Sequence, residues 1–407
     1  MAMNVILLIG VILLTGFLFG EIAVKLKLPK VTGYLVGGLL LNPQINPLHN
    51  LSEAMGEMHF IIDLALAIIT FAIGGHLTFA SLKKLGKSIF IMAFLQAELT
   101  LLAVALGMYA LFSLFPGLLP FEPLYLVPFI LLMGALALPT DPAVLLAVQN
   151  EYHAKGEVTS TIFGIAAIDD ILTFVNWAVI IGFAKMSLKM GEGGSTHTLG
   201  AVAVSLLITV AMGVAAGILF NIITKLLPRD DNNFLIISLF GVLLSCFGLA
   251  KVFHGDEMLS TMVMGFVVVN YNPYRSHVFK LLEHYTEELI FVLFFTLSSM
   301  QIKLLSLNEA FLLILLFILL RFAGKWTGAK TGALLSHAST NVRRYTIWGL
   351  IPQGGIIIGL ALSLSEHEVF KPITGLIISI VIGAVIIQEL LSPMFIKTAL
   401  RKVKEIH

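Results

Sequence analysis

Residues 138–144, with the sequence LPTDPAV, place two prolines and an aspartate inside a long apolar segment. Proline removes a backbone N–H donor and clashes with the preceding turn, so a regular helix cannot run through Pro139 and Pro142. A second apolar segment is broken in the same way at residues 352–357, PQGGII. We therefore predict two interrupted helices, with breaks that involve Pro139, Pro142, Pro352, Gln353, Gly354 and Gly355.

The composition places both segments in a membrane. Of the 407 residues, 58% are hydrophobic and 12% are charged, against about 25% charged residues in soluble domains. The net charge of +1 gives no basic face for nucleic acid. Cys246 is the only cysteine, so an intrachain disulfide is excluded. The residues indicate no cofactor, and the expected partners are the lipid bilayer and transported ions.

Apolar stretches near the length of about 20 residues that crosses a bilayer recur along the chain. We predict an all-α polytopic membrane protein with about thirteen transmembrane helices. Their predicted limits are 4–24, 31–42, 58–79, 87–114, 124–149, 158–184, 198–226, 233–251, 257–271, 286–301, 308–330, 345–365 and 370–396.

The distribution of basic residues predicts the orientation. With the N-terminus outside, eighteen Lys and Arg residues fall on the cytoplasmic side and five on the other. Cytoplasmic loops carry an excess of Lys and Arg, so we expect the N-terminus outside and the C-terminus in the cytoplasm. The predicted location is the cell inner membrane.

The two halves of the sequence resemble each other weakly. Residues 32–43, TGYLVGGLLLNP, parallel residues 261–273, TMVMGFVVVNYNP, and PTDPAV parallels PQGGII. Interrupted helices at corresponding positions of two halves point to a transporter binding site near the bilayer midplane. The pattern predicts two inverted repeats whose interrupted helices cross.

Asp169 and Asp170 lie mid-span in residues 163–177, FGIAAIDDILTFVNW. Charged groups in membrane helices are costly and are functional by default. Adjacent helical residues point about 100° apart, so we expect different environments for the two carboxylates. One should pair with a fixed positive charge, and the other should face a cavity and take an ion.

The remaining candidates surround this pair. Thr140 offers a hydroxyl oxygen to a monovalent cation, and Asp141 either caps a half-helix end or contacts the ion. Arg321 is the deeper basic residue of its span and is the expected partner of an aspartate, whereas Lys325 is expected to reach the membrane edge. Which of the two pairs with Asp169 stays open at this point.

These motifs resemble a known family. The stretch LKLPKVTGYLVGGLLLNP at residues 26–43, PTDPA at 139–143, IDDIL at 168–172 and an arginine in the eleventh span are similar to bacterial monovalent cation/proton antiporters of the paired-aspartate branch, which are related to potassium-efflux antiporters. The resemblance implies a thirteen-span inverted-repeat fold that is usually dimeric. It also implies that Asp170 is the shared cation and proton carrier and that Asp169 pairs with a basic residue.

The resemblance also divides the chain, which we predict to be a single transporter domain over residues 1–407. A core ion-translocation bundle would comprise about 58–184 and 286–396, and a dimerisation bundle would include about 1–42 and 198–271. Family members with paired aspartates often carry a lysine where this chain has Arg321. That departure argues against release of a proton by the basic residue.

The sequence therefore predicts a secondary antiporter with a role in pH homeostasis, and no enzyme. It would exchange sodium or lithium for protons by alternating access, with Asp170 and Thr140 contacting the cation. A potassium/proton antiporter and a sodium-coupled organic-anion symporter of similar fold are the alternatives. An intramembrane aspartyl protease is disfavoured, because its two aspartates should come from separate helices.

Overall fold

The computed structural model describes residues 5–26, 30–44, 58–75, 77–118, 121–191, 198–226, 232–253, 255–283, 288–300 and 304–406. Within these ranges the chain forms α-helices and short 3-10 turns and contains no strand. The helices are α1 Val5–Lys25, α2 Lys30–Leu40, α3 His59–Gly75, α4 Phe79–Leu114, α5 Leu126–Leu136, α6 Pro142–Tyr152, α7 Glu157–Gly191, α8 Thr198–Leu226, α9 Asn232–Val252, α10 Glu257–Tyr271, α11 Arg275–Leu282, α12 Glu288–Met300, α13 Leu304–Leu335, α14 Thr340–Gly349, α15 Gly355–Ser363 and α16 Lys371–Lys402.

The all-helical membrane architecture predicted from the sequence is confirmed. Seven helices of the described part are long and apolar enough to cross a bilayer, and four shorter apolar helices accompany them. The total of thirteen spans and the inverted relation of the halves stay predictions. The predicted limits at residues 4, 286 and 301 lie outside the described residues, as do residues 76 and 287 within the predicted spans 58–79 and 286–301.

The helices pack into two compact units. Unit 1 comprises the described residues within 1–19, 34–84 and 196–300, and unit 2 those within 20–33, 85–195 and 301–407. Since these units are defined by packing alone, the division into a translocation core and a dimerisation bundle stays a prediction.

Small residues let helices approach closely in unit 1. A side-chain carbon at Gly74 would collide with the backbone of Met262, and one at Gly265 with the backbone of Phe71. Near this crossing of α3 and α10, the hydroxyl oxygens of Thr70 and Thr261 lie 2.6 Å apart. Glycine and threonine therefore supply the close contact and interhelical hydrogen bond that hold helices together in lipid.

In unit 2, glycines also let two helices pack closely, next to the buried charged residues. Glycines at 324, 328 and 332, one turn apart on α13, face the Cα atoms of Thr100, Gln96 and Met92, one turn apart on α4. The two helices therefore run antiparallel with their backbones in close contact. This register places Lys325 and Gln96 side by side in the interior.

Candidate ion-binding site

Both predicted breaks are present and lie against each other in unit 2. The first, at residues 137–141, separates α5 from α6, and the second, at residues 350–354, separates α14 from α15. The N–H of Asp141 donates to the carbonyl oxygen of Pro352 at 3.1 Å. A side-chain carbon at Gly354 would overlap the Asp141 carboxyl, so this contact requires glycine. Pro142, the first residue of α6, has a fixed φ suited to that position.

The carbonyl groups freed at the first break are bound by side chains. The carbonyl oxygens of residues 136–139 accept, in chain order, Gln353 Nε2 at 2.8 Å, Arg321 Nε at 2.9 Å, Lys325 Nζ at 2.7 Å and Arg321 Nη2 at 2.7 Å. In lipid, freed backbone groups must be satisfied inside the protein. Two cations at this end also face the negative pole of the α5 dipole. The break is therefore a built and charge-compensated feature.

Arg321 joins the two breaks. Besides its bonds to the first break, its guanidinium donates to the carbonyl oxygen of Ile351 at 2.7 Å and to Gln388 Oε1 at 2.7 Å. Gln388 in turn donates to Gln353 Oε1 at 3.0 Å. Arg321 is 1% exposed, and its acceptors in the described residues are carbonyl and amide oxygens. It therefore serves as a fixed clamp on both breaks.

The prediction that Arg321 pairs with an aspartate while Lys325 reaches the membrane edge is wrong. Lys325 Nζ lies 3.2 Å from Asp169 Oδ2, and both side chains are buried. The helix α13 continues ten residues beyond Lys325 to Leu335, about 15 Å at 1.5 Å per residue, which is too far for a lysine side chain to bridge. The departure from the family pattern disappears as well, because the lysine is present one turn after Arg321.

Asp169 is held on all sides. Its Oδ2 accepts from the Thr140 hydroxyl at 2.6 Å in addition to Lys325, and its Oδ1 accepts from Gln96 Nε2. Lys325 in turn donates to Gln96 Oε1 at 3.0 Å. Such a closed network satisfies every partner of a buried charge, as a stable buried ion pair requires.

Asp170 has the opposite surroundings. It is half-buried, and its Oδ1 is enclosed without a hydrogen-bond partner among the described residues. The two aspartates therefore have different surroundings, as expected: Asp169 takes the basic partner, and Asp170 Oδ1 receives no donor from the described residues. That Asp170 faces a cavity stays a prediction. The role of Asp170 as carrier stays a prediction.

Thr140 and Asp141 lie at the crossing as predicted. The Thr140 hydroxyl donates to Asp169 and accepts from Lys325 at 2.7 Å, so its proton and one of its two lone pairs are engaged. Asp141 directly precedes α6, which is the N-cap position, and its carboxyl lies against Gly354. This position is compatible with a cap and with an ion ligand, and both roles stay predictions.

Three buried residues of the site escaped the sequence prediction: Gln96, Gln388 and Glu389. Gln96 completes the shell of Asp169, and Gln388 positions Arg321. The carboxyl of Glu389 lies within hydrogen-bonding reach of that of Asp141. The signal was present in the sequence, because Gln388 and Glu389 form a polar pair within a long apolar helix, as Asp169 and Asp170 do.

The site combines two interrupted helices whose breaks contact each other, charged side chains that bind the freed backbone groups, and one acid without a donor. This combination is typical of a secondary ion transporter. Comparison with known proteins specifies the class. Residues 9–402 match the family described as sodium/hydrogen exchanger, transmembrane. The chain belongs to the sodium/hydrogen exchanger family, so it is a multi-pass membrane transporter and not an enzyme.

Individual relatives are distant but extensive. The chain is 24% identical over 300 residues to the Na(+)/H(+) antiporter NhaP of Pseudomonas aeruginosa, which covers 67% of this chain and 66% of that protein, just under two thirds of its length. It is 22% identical over 373 residues to the probable Na(+)/H(+) antiporter GerT of Bacillus cereus, with 89% and 92% covered. The sodium proton antiporter structure from Methanocaldococcus jannaschii at pH 8 matches 98% of both chains, with a TM-score of 0.76 and 22% identity. This likeness shows the same fold.

Proposed function

We propose that the chain exchanges sodium or lithium for protons, with Asp170 as the carboxylate that binds either ion in turn. The observation that carries the proposal is the unsatisfied Oδ1 of Asp170 beside a fully bonded Asp169. A carboxylate without donors accepts a proton or a hard cation at the same oxygen. The names of the relatives, all sodium/proton antiporters, support the same ion pair.

Competition for one oxygen makes the exchange obligatory. A cation that binds Asp170 displaces the proton, and a proton that returns displaces the cation, so each crossing carries one or the other. Alternating access would expose the carboxylate to each side in turn. Thr140 and Asp141 would supply further oxygen ligands at the crossing, whereas Asp169 stays bonded to Lys325.

The proposal also covers the location, oligomeric state and orientation of the transporter. We place it in the cell inner membrane as a homodimer, with the N-terminus outside and the C-terminus in the cytoplasm. Membership of a transmembrane family supports the membrane location, and the positive-inside distribution of Lys and Arg supports the orientation. The exchange chemistry requires only the ions, so the proposal includes no cofactor.

A symporter for an organic anion is less well supported than an antiporter. It would need a buried cation that is available to the anion. Arg321 binds backbone carbonyls and Gln388, and Lys325 binds Asp169 and its neighbours. Among the buried residues that the structure describes, these two are the basic ones. The same oxygen ligands also suit potassium, so the transport experiment below decides between sodium and potassium.

The test is proton flux in proteoliposomes that contain an internal pH dye. Sodium, lithium, potassium or choline chloride is added to the wild type, to Asp170→Asn and to the control Glu98→Gln. We expect a proton response to sodium and lithium in the wild type and the control, and none in Asp170→Asn. A response to sodium that persists in folded Asp170→Asn would overturn the assignment of Asp170. A response to potassium alone would overturn the choice of ion.

A further inference from the structure

Glu389 is a buried acid that has no role in the exchange mechanism proposed above. It is 1% exposed and lies in α16, eighteen residues from its start at Lys371 and thirteen from its end at Lys402. At 1.5 Å per residue, these distances are roughly 27 and 20 Å. A carboxyl group at such depth in a membrane helix is costly and indicates a functional site.

The contacts of Glu389 leave one oxygen available. The Thr32 hydroxyl donates to Oε2 at 3.2 Å. Oε1 is buried and has no hydrogen-bond partner among the described residues. The carboxyl group also lies within hydrogen-bonding reach of the Asp141 carboxyl, which itself lies against Gly354. Two acids on different helices thus converge at the crossing of the breaks.

The balance of charge favours a cation at this point. The site contains four carboxyl groups, those of Asp141, Asp169, Asp170 and Glu389, and two basic side chains. The basic side chains are those of Arg321 and Lys325, and Glu389 is in an ion pair with neither of them. Carboxylate and hydroxyl oxygens are the hard ligands that alkali cations take.

We propose that Glu389 is a further ligand of the transported monovalent cation, which it coordinates together with Asp141 where the broken helices cross. The proposal rests on the proposed function, since it names a second carboxylate of the same pathway. The Thr32 hydroxyl is a positioning group, because its bond to Oε2 holds the carboxyl while Oε1 faces the ion. The cation would then pass between two carboxylate positions, Asp170 and the Asp141–Glu389 pair.

The test combines transport with binding at one alkaline pH. Affinity for a hard cation follows the number of charged ligands, so Glu389→Gln should raise the KM for sodium by about tenfold or more. Glu389→Asp should recover part of the affinity, and Thr32→Val should raise the KM by about threefold. Glu98→Gln, which neutralises an acid on α4 bonded to Asn176, should leave the KM unchanged.

Sodium-dependent thermal stabilisation in detergent measures binding without transport. The wild type and Glu98→Gln should be stabilised by sodium, and Glu389→Gln should lose most of that shift. A wild-type KM and stabilisation in Glu389→Gln, with Asp170→Asn inactive, would overturn the inference and leave the proposed function intact. If the wild type moves no protons, the proposed function fails, and loss of sodium stabilisation in Glu389→Gln still supports the cation site. Should Glu389→Gln not fold, an unchanged KM in both Thr32→Val and Glu389→Asp would overturn the inference.

Discussion

Asp169 and Asp170 are adjacent in α7, yet their carboxyl groups differ in hydrogen bonding. Asp169 receives Thr140, Gln96 and Lys325, whereas Asp170 keeps a buried oxygen without a donor. One carboxylate is fixed by a closed network, and its neighbour keeps a buried oxygen that receives no hydrogen bond from the described residues.

The difference separates stability from transport. A fully bonded buried ion pair is costly to break, because loss of one partner leaves an uncompensated charge. A carboxylate that must take up and release ions cannot be bound so firmly by the protein. Under the proposed function, Asp169 is the structural anion and Asp170 the one that exchanges ions, and the predictions below test that division.

The largest effect on stability is expected for Asp169→Asn. Because Lys325 then stays buried without its carboxylate, the free energy of unfolding should fall by about 3–5 kcal/mol. Asp170→Asn should leave it within about 1 kcal/mol, since no donor loses its acceptor. Chemical unfolding in detergent micelles measures both. Equal destabilisation by the two substitutions would contradict the division.

The second prediction removes the ion pair as a whole. In Asp169→Asn combined with Lys325→Met, no charge of the pair remains, so most of the lost stability should return. Apolar replacement of a buried pair is often neutral or stabilising. A double-mutant cycle from the same unfolding curves should give a coupling energy of about 2 kcal/mol or more. Additive losses would show that Lys325 is not the partner on which Asp169 depends.

The third prediction concerns the hydroxyl that joins the breaks to the pair. Thr140→Val keeps the shape but removes the bond to Asp169, and a hydrogen bond to a charged group contributes about 1.5–3 kcal/mol. The free energy of unfolding should fall by that amount, less than for Asp169→Asn. Thr140→Ser retains the hydroxyl and should behave as the wild type. An unchanged free energy of unfolding in Thr140→Val would contradict a stabilising role of the hydroxyl.

Prediction from sequence succeeded where the signal was local. Prolines and glycines near Pro139 and Gly354 break helices wherever they stand, so both breaks were found. The paired acids also stand out in any apolar segment. Their separation into different environments follows from helix geometry alone, and the structure confirms it.

The partner of Asp169 depended on tertiary register, which no local pattern contains. Arg321 and Lys325 lie one turn apart on the same face of α13, so periodicity cannot choose between them. The choice comes from Gly324 and Gly328, which bring α13 against α4 and seat Lys325 beside Gln96. Arg321 is left facing the freed carbonyls, for which its five planar donors suit it better than an ammonium group.

The smallest effect is expected outside the network, at Glu98. This acid follows Gln96 by two residues on α4 and accepts from Asn176 Nδ2 at 3.0 Å. Glu98→Gln keeps an oxygen acceptor for that amide, so the free energy of unfolding should change by no more than about 1 kcal/mol. Proton exchange should stay within about twofold of the wild type, because the substituted carboxyl contacts neither aspartate of the pair. If Glu98→Gln folds normally but loses most of its exchange activity, the transport path includes α4. Residues other than the Asp169–Asp170 pair and its partners would then also handle the ion.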